Sequence, residues 1–422
     1  MPAEPQPLSI ALVCLHTSPA TEPGSGDAGG MNVVVRHQAE ALASAGHRVD
    51  ILTRRSSPGT ADDVSLSPGV TLRFLTAGPP APIAKGAHEA LIGAFRNSMV
   101  DLGPYDILHS HHWFSGMAAL PLARLRGIPH VQSFHSIAAS ESTPLSAGER
   151  PESAGRMAGE SMLARESDAI VAVSRAEALT VVERLGGSPH RISVVPPGVD
   201  GRLFQPTSSP GATGNGYAVV AGRLQPLKGL DLAIEAIAAM PEALRPELVI
   251  AGDASADFDG YLDELSGIAS RAGILDRVRF IGPQTRLQLA PLLRDARVIL
   301  IPSHSETYGL VALEGAASGV PVVAAAAGGL REAVVDGVTG VVLESRAPND
   351  WASAISAVLS DTALSDRLRL AARQRAEQLT WSRSAGQLLG VYRSLLASDL
   401  PSGSGYLETS DSTGGEHPHA LI

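Results

Sequence analysis

Short apolar runs, each passing through a glycine- or proline-bearing turn into a helical segment, recur in two series along this chain. The first series opens with a strand over 8–15, a glycine-rich loop from Gly24 to Gly30, a helix over 32–45 ended by Gly46, and a strand over 48–53. Further strands are read at 71–75, 107–109, 130–134, 169–173 and 192–195, with helices in most of the gaps. The second series has strands at 217–221, 248–251, 278–281, 298–301 and 321–325, separated by helices over 231–239, 261–272, 287–294 and 309–317. Apolar runs that do not alternate with polar residues belong to strands buried on both faces, the state of parallel strands covered by crossover helices. Two such series predict two open α/β units. Between them, residues 205–216 (QPTSSPGATGNG) have no apolar period and read as an exposed linker.

A chain of 422 residues exceeds one ordinary hydrophobic core, which agrees with two domains, 1–204 and 217–380. Helices over 351–359, 364–379 and 381–396 follow, and the polar, glycine-rich stretch 401–422 is expected to be a disordered tail. Its His417 and His419 are expected to bind nothing.

The formal charge of −10, with no tract of five basic residues, argues against a general nucleic-acid or anionic-membrane binder. Phosphate recognition would have to use a few placed cations. Cys14 is the single cysteine and lies in the first apolar strand, so it reads as a small buried hydrophobe, and no disulfide framework or cysteine zinc site can form. No segment reaches eighteen uninterrupted apolar residues and 1–15 lacks a basic n-region, so a cytoplasmic protein without stable membrane insertion is expected.

The densest chemistry follows the strand at 298–301. Glu306 lies in the loop Pro302-Ser303-His304-Ser305-Glu306-Thr307-Tyr308-Gly309, where it can reach a ligand hydroxyl, and Glu314 lies inside the next helix, facing the same crevice or the core. Such a strand-to-helix junction presents backbone amides to a ligand. Gly222-Arg223-Leu224-Gln225-Pro226-Leu227-Lys228-Gly229 follows the first strand of the second series. An Arg fork and a Lys point charge on one stiffened loop suit a diphosphate whose charge grows as it leaves, although a solvated basic pair would read the same way. The loop Gly26-Asp27-Ala28-Gly29-Gly30-Met31-Asn32 lets amides approach a diphosphate or simply makes a tight turn. It matches neither the dinucleotide fingerprint nor a P-loop. His109, His111, His112 and His135 sit at first-series strand ends. Without H-E-x-x-H or a paired acidic set they read as neutral hydrogen-bonding groups rather than zinc ligands, and His109 could be core.

On Gly26 to Asn32, His109-Ser110-His111, the Arg223 to Lys228 loop, the Glu306 to Glu314 segment and Gly328-Gly329-Leu330-Arg331-Glu332, the chain resembles the retaining glycosyltransferases of family 4. It is most similar to the members that attach N-acetylglucosamine to inositol phosphate in mycothiol biosynthesis. The resemblance implies a GT-B fold, two Rossmann-like domains facing across a cleft, with residues 381–400 crossing back onto the first domain. It implies a UDP-sugar donor such as UDP-GlcNAc. Arg223 and Lys228 would hold the diphosphate, Glu314 the ribose and Glu306 the sugar hydroxyls. The amides of Thr307, Tyr308, Gly309 and Leu310 would lie against sugar and phosphates, with Gly29, Gly30 and Asn32 across the cleft. The catalytic set so implied is Arg223, Lys228, His135 and Glu306.

On the acceptor side the resemblance carries a phosphate site onto Lys85, Ser136 and Arg156, and places His112 where the family has tyrosine. Retention of both cations implies a phosphorylated polyol such as 1D-myo-inositol 3-phosphate, while His112 leaves the polyol open. A specialised-pathway paralogue using another sugar phosphate, a phosphatidylinositol mannosyltransferase-like enzyme and a non-catalytic nucleotide-sugar sensor are the alternatives. On the acceptor side no carboxylate is found to act as a nucleophile, Asp27 being the nearest candidate or only a group that orients its loop; the resemblance implies front-face substitution assisted by the departing diphosphate. No metal is required if the two cations neutralise that group; a structurally bound Mg2+ and a homodimer are both compatible with this reading.

Overall fold

The computed structural model describes residues 6–23, 28–139, 149, 151–206, 216–253, 258 and 260–398. The first sheet comprises β1 (Ser9–Cys14), β2 (Arg48–Arg54), β3 (Asp63–Ser67), β4 (Val70–Leu75), β5 (Ile107–His111), β6 (His130–Ser133), β7 (Ala169–Ala172) and β8 (Ile192–Val194). Their spatial order is β3-β4-β2-β1-β5-β6-β7-β8, parallel throughout except for the β3–β4 hairpin. Helices α1 (Gly30–Ser44), α2 (Ile92–Ser98), α3 (Trp113–Arg126), α4 (Arg156–Glu166) and α5 (Arg175–Leu185) belong to this unit. The second sheet contains β9 (Tyr217–Ala221), β10 (Glu247–Ala251), β11 (Val278–Phe280), β12 (Val298–Ile301), β13 (Val322–Ala325) and β14 (Val341–Leu343), all parallel, in the order β11-β10-β9-β12-β13-β14. It is accompanied by α6 (Leu230–Ala239), α7 (Tyr261–Arg271), α8 (Arg286–Arg294), α9 (Leu310–Ala317), α10 (Leu330–Ala333), α11 (Pro348–Ser360) and α12 (Thr362–Gln378).

The architecture is the two-domain α/β arrangement expected. Strand order reverses beside β1 in one sheet and beside β9 in the other, and crevices outside the carboxyl ends of parallel strands at such points are where open α/β sheets take ligands. The loops after β1, β9 and β12 therefore carry Gly29, Arg223 and Glu306 to one place. The apolar strands are buried, as in Ile10 to Leu15 and Val298 to Leu300.

The last helix, α13 (Trp381–Ser398), returns to the first unit and packs along α1. Gln38 Nε2 donates to Ser384 Oγ at 3.1 Å, and the Tyr392 hydroxyl shares a 2.7 Å hydrogen bond with His109 Nδ1. His109 is thus core, and both it and His111 lie within β5, which runs two residues beyond the strand expected from the sequence. Two strands carry no such signal in the sequence. β3 is a polar, exposed edge strand and β14 has three half-buried residues, so neither contains a long apolar run. Asp27 and the rest of residues 24–27, most of the linker, and the tail with His417 and His419 lie outside the described residues. No described helix is long and apolar enough to cross a membrane.

Candidate active site

A cleft of about 320 Å³ opens between the two sheets, lined by Gly29, Gly30, Lys85, His112, His135, Ser136, Arg223, Lys228, Glu306 to Leu310 and Glu314 among others. On its second-domain wall, Lys228 ends the turn Pro226–Lys228 and pairs with Glu306, which also accepts from Ser303 Oγ at 3.1 Å. Gly309 caps α9 at φ 102°, and a Cβ there would lie 2.5 Å from Leu330, so only glycine allows the chain to turn into that helix. The turn brings Gly309, Leu310 and Val311, at the start of α9, to the cleft wall. Tyr308 is buried, and burial pushes its hydroxyl up to about 12, so it stays protonated. Glu314 is buried on the cleft wall and accepts from Arg286 Nη1 at 2.6 Å; the Arg286 guanidinium in turn lies 4.9 Å from the centre of the Phe204 ring.

Opposite, Gly30 starts α1 and approaches Leu310 across the gap. Asn32 lines the cleft beside Gly29 and Gly30, and its side-chain amide is spent on the protein. Its oxygen accepts from Gly29 N at 3.1 Å and its nitrogen donates to Thr17 Oγ1 at 2.9 Å and Ser18 O at 2.7 Å. Its role is to hold the glycine turn in shape.

The first-domain wall brings Lys85, His112, Ser136 and Arg156 together around acidic groups the sequence did not reveal. Arg156 is fully buried at the start of α4. Its Nη2 donates to Ser136 Oγ at 2.9 Å and its Nε to Glu160 Oε1 at 2.7 Å, and it also pairs with Glu152. Glu149 lies 3.6 Å from Lys85, 3.7 Å from Arg156 and 3.5 Å from Arg223, so one carboxylate bridges both walls. Lys85 foremost, then Arg223 and Arg156, hold the Glu149 carboxyl well below the usual range despite burial. Four cations, Lys85, Arg156, Arg223 and Lys228, thus face four carboxylates, Glu149, Glu152, Glu160 and Glu306.

His112 sits at φ 70° before α3, its ring centre 4.3 Å from that of His16 and tilted 43° to it, and neither of its ring nitrogens has a hydrogen-bond partner among the described residues. Burial, then His16, Lys85 and Arg156, push its pKa well below the ordinary value. The site thus favours the neutral imidazole, with one donor and one acceptor. His135, at φ 61°, shares a 2.8 Å hydrogen bond between its Nε2 and His111 Nδ1. Burial lowers its pKa to about 4.

The family model described as "Family 4 Glycosyltransferase in conflict systems" matches residues 19–388. The chain belongs to glycosyltransferase family 4. Curated relatives named D-inositol 3-phosphate glycosyltransferase include that of Stackebrandtia nassauensis, 38% identical over 92% of this chain and 91% of its own, and that of Geodermatophilus obscurus, 40% identical over 93% and 90%. Among solved structures, sucrose-phosphate synthase from Thermosynechococcus elongatus superposes with a TM-score of 0.83 at 28% identity, covering 93% of this chain and all of its own. HepE from Anabaena, solved with UDP and glucose, shares the fold at 20% identity with a TM-score of 0.72, covering 92% of this chain and all of its own. The protein is thus a glycosyltransferase of GT-B architecture.

In this glycosyltransferase the sequence reading missed Glu149, Glu152, Glu160 and Arg286, because an isolated glutamate or arginine on a helix or loop carries no local signal that distinguishes it from a solvated one. Only the spacing Glu152, Arg156, Glu160, an arginine with a glutamate four residues to either side, could have been noticed.

The buried histidines also set an acid limit. His130 bonds Ser110 Oγ at 2.9 Å and Ser167 Oγ at 3.1 Å, and burial lowers its pKa to about 3. A histidine whose folded pKa lies below its unfolded value contributes stability that is complete above about pH 6.5 and is lost as pH falls toward the folded pKa. A tenfold difference in proton affinity between the two states is worth about 1.4 kcal/mol. The unfolding free energy of the native protein relative to H130N should therefore shrink by a few kcal/mol, on the order of 2–4, between about pH 6.5 and 3. Denaturant titrations at several pH values read this directly, and a pH-independent gap would refute it.

Proposed function

We propose that this glycosyltransferase moves N-acetylglucosamine from UDP-N-acetylglucosamine, with retention, to a phosphorylated polyol such as 1D-myo-inositol 3-phosphate. The observation that supports this reading is the meeting of Lys85, Ser136 and His112 beside Arg223, Lys228 and Glu306 in one cleft, with the buried Arg156 behind Ser136. The names of the curated relatives favour the same acceptor class.

In this reading the donor diphosphate takes the place that Glu149 and Glu306 hold against Arg223 and Lys228, releasing Glu306 to a sugar hydroxyl. The acceptor hydroxyl attacks the anomeric carbon from the face the diphosphate leaves. The new C–O bond forms as the old one breaks, and the acceptor proton passes to a departing phosphate oxygen. Arg223 and Lys228 stabilise the charge that grows on that group, so no metal ion is required there. The acceptor phosphate exchanges for the Glu149 carboxylate against Lys85 and Arg156, with Ser136 and neutral His112 as donors.

Glu149 also favours a second reading, an acceptor carrying an ammonium group, which would pair with the carboxylate rather than displace it. UDP release from UDP-N-acetylglucosamine should be measured with inositol 3-phosphate, free inositol, other phosphorylated polyols and an aminocyclitol. Activity confined to inositol 3-phosphate is the expected result. Equal use of free inositol removes the phosphate site, and use of the aminocyclitol alone selects the second reading. In H112Y, use of inositol 3-phosphate is expected to rise several-fold, on the order of one added hydrogen bond to a charged group; an unchanged acceptor profile would show that position 112 does not set the choice.

A further inference from the structure

Helix α5 begins with donors that its own sequence does not satisfy. Ser174 caps it and accepts from Glu177 N at 3.0 Å, and the first intrahelical bond runs from Ala178 N to Ser174 O at 3.0 Å. The amides of Arg175 and Ala176 remain. Both donate to Glu332 of the second domain, Arg175 N to Oε2 at 3.0 Å and Ala176 N to Oε1 at 3.1 Å. A carboxylate from one domain thus completes the positive end of a helix in the other.

Glu332 is anchored to the donor loop. It lies on α10, which follows Gly328 and Gly329. A Cβ on Gly328 would stand 2.3 Å from Glu306 O, one on Gly329 2.1 Å from Thr307 O, and Gly329 N donates to Glu306 O at 2.9 Å. Arg375 Nη2 holds the Glu332 carbonyl at 2.7 Å. On the other side, Glu177 of α5 accepts from Val173 N at 2.7 Å, and Val173 lines the cleft. Glu332 does not line it.

We propose that Glu332 is a positioning residue that latches the cleft shut, tying the Glu306 to Gly309 loop to the wall that carries Val173 by capping α5 from across the domain gap. The bond needs only the closed arrangement, so its strength enters the closed–open equilibrium directly. Two charge-assisted hydrogen bonds at a helix N-terminus should shift that equilibrium by ~10-fold or more.

The test uses the fact that the latch accepts from a main-chain N–H. In R175P that donor is gone, while proline suits the first helical position and Ser174, at φ −148° and ψ 162°, already has the extended backbone that must precede it. In R175A the donor stays. Solution scattering of the full-length protein should show E332A and R175P shifted toward a larger radius of gyration and R175A unchanged. The E332A/R175P double variant should open no further than E332A. With UDP-N-acetylglucosamine as donor, kcat should fall ~10-fold in E332A, by a smaller factor in R175P, which keeps the Ala176 donor, and not in R175A. R175P matching R175A in scattering, or additive effects in the double variant, would overturn the latch. Should R175P fail to fold, an E332A radius equal to that of the native protein does so alone. The scattering arm needs no substrate, so it stands whether or not the donor and acceptor proposed above are right.

Discussion

Turnover in K228A is expected to fall by ~10²–10³-fold, and in R223A by a comparable factor, with the donor KM changed far less. Both side chains reach the cleft from the loop after β9, and both are held there by carboxylates, Lys228 by Glu306 and Arg223 by Glu149. Their attraction to a diphosphate grows as the sugar–phosphate bond breaks and negative charge moves onto the leaving group. Interactions that strengthen only toward the transition state appear in kcat, whereas uniform binding appears in KM. Steady-state kinetics with varied donor at saturating acceptor separates the two. If either variant kept its turnover and lost only donor affinity, the leaving-group role would be wrong.

The largest stability effect is expected in R156M, a loss of about 3–5 kcal/mol in unfolding free energy. Arg156 is fully buried and joins Glu152, Glu160 and Ser136. Methionine fills much of the space but leaves Glu160 without its counter-charge, facing the Ala138 N–H, and Glu160 is itself buried and already pushed upward by that burial, which Arg156 only partly opposes. An uncompensated buried carboxylate costs far more than the pair contributed. Two consequences separate this from a packing defect. The deficit should shrink in acid, where Glu160 takes a proton and its charge disappears, and R156M/E160Q should recover part of the loss at neutral pH. A deficit below about 1 kcal/mol would mean that the buried charges relax to water.

The fold was legible because parallel strands buried on both faces write themselves as apolar runs. Val298 to Ile301 and Ala218 to Val220 could hardly be read otherwise. The polar edge strand Asp63–Ser67 and the short Val341–Leu343 were not legible, since their strand state comes from a neighbour rather than from their own pattern. In the site, Arg223, Lys228, Glu306 and Glu314 stand on motif-bearing loops at strand ends, where local spacing is informative. Glu149 and Glu332 are different. The α5 amides that Glu332 accepts from, and Arg223 among the partners of Glu149, lie on the opposite domain, so nothing near either glutamate in the chain announces that bridge. His112 shows a third case, a position found by resemblance whose protonation state depends on burial and on His16 and Lys85, which only the folded arrangement brings beside it.

The return of α13 to the first domain has a consequence for synthesis on the ribosome. Ala385, Leu388, Leu389 and Tyr392 complete the same core as Ile10, Val35 and Val49, and the Tyr392 hydroxyl closes on His109 across 283 positions of sequence. Domains emerging in order normally finish folding in order. Here the first domain waits, with the α1 face of its core uncovered, until nearly all of the chain has been made. The nascent protein therefore carries an exposed apolar surface through the synthesis of its whole second domain, and the helix that seals it is the last described element to leave the tunnel.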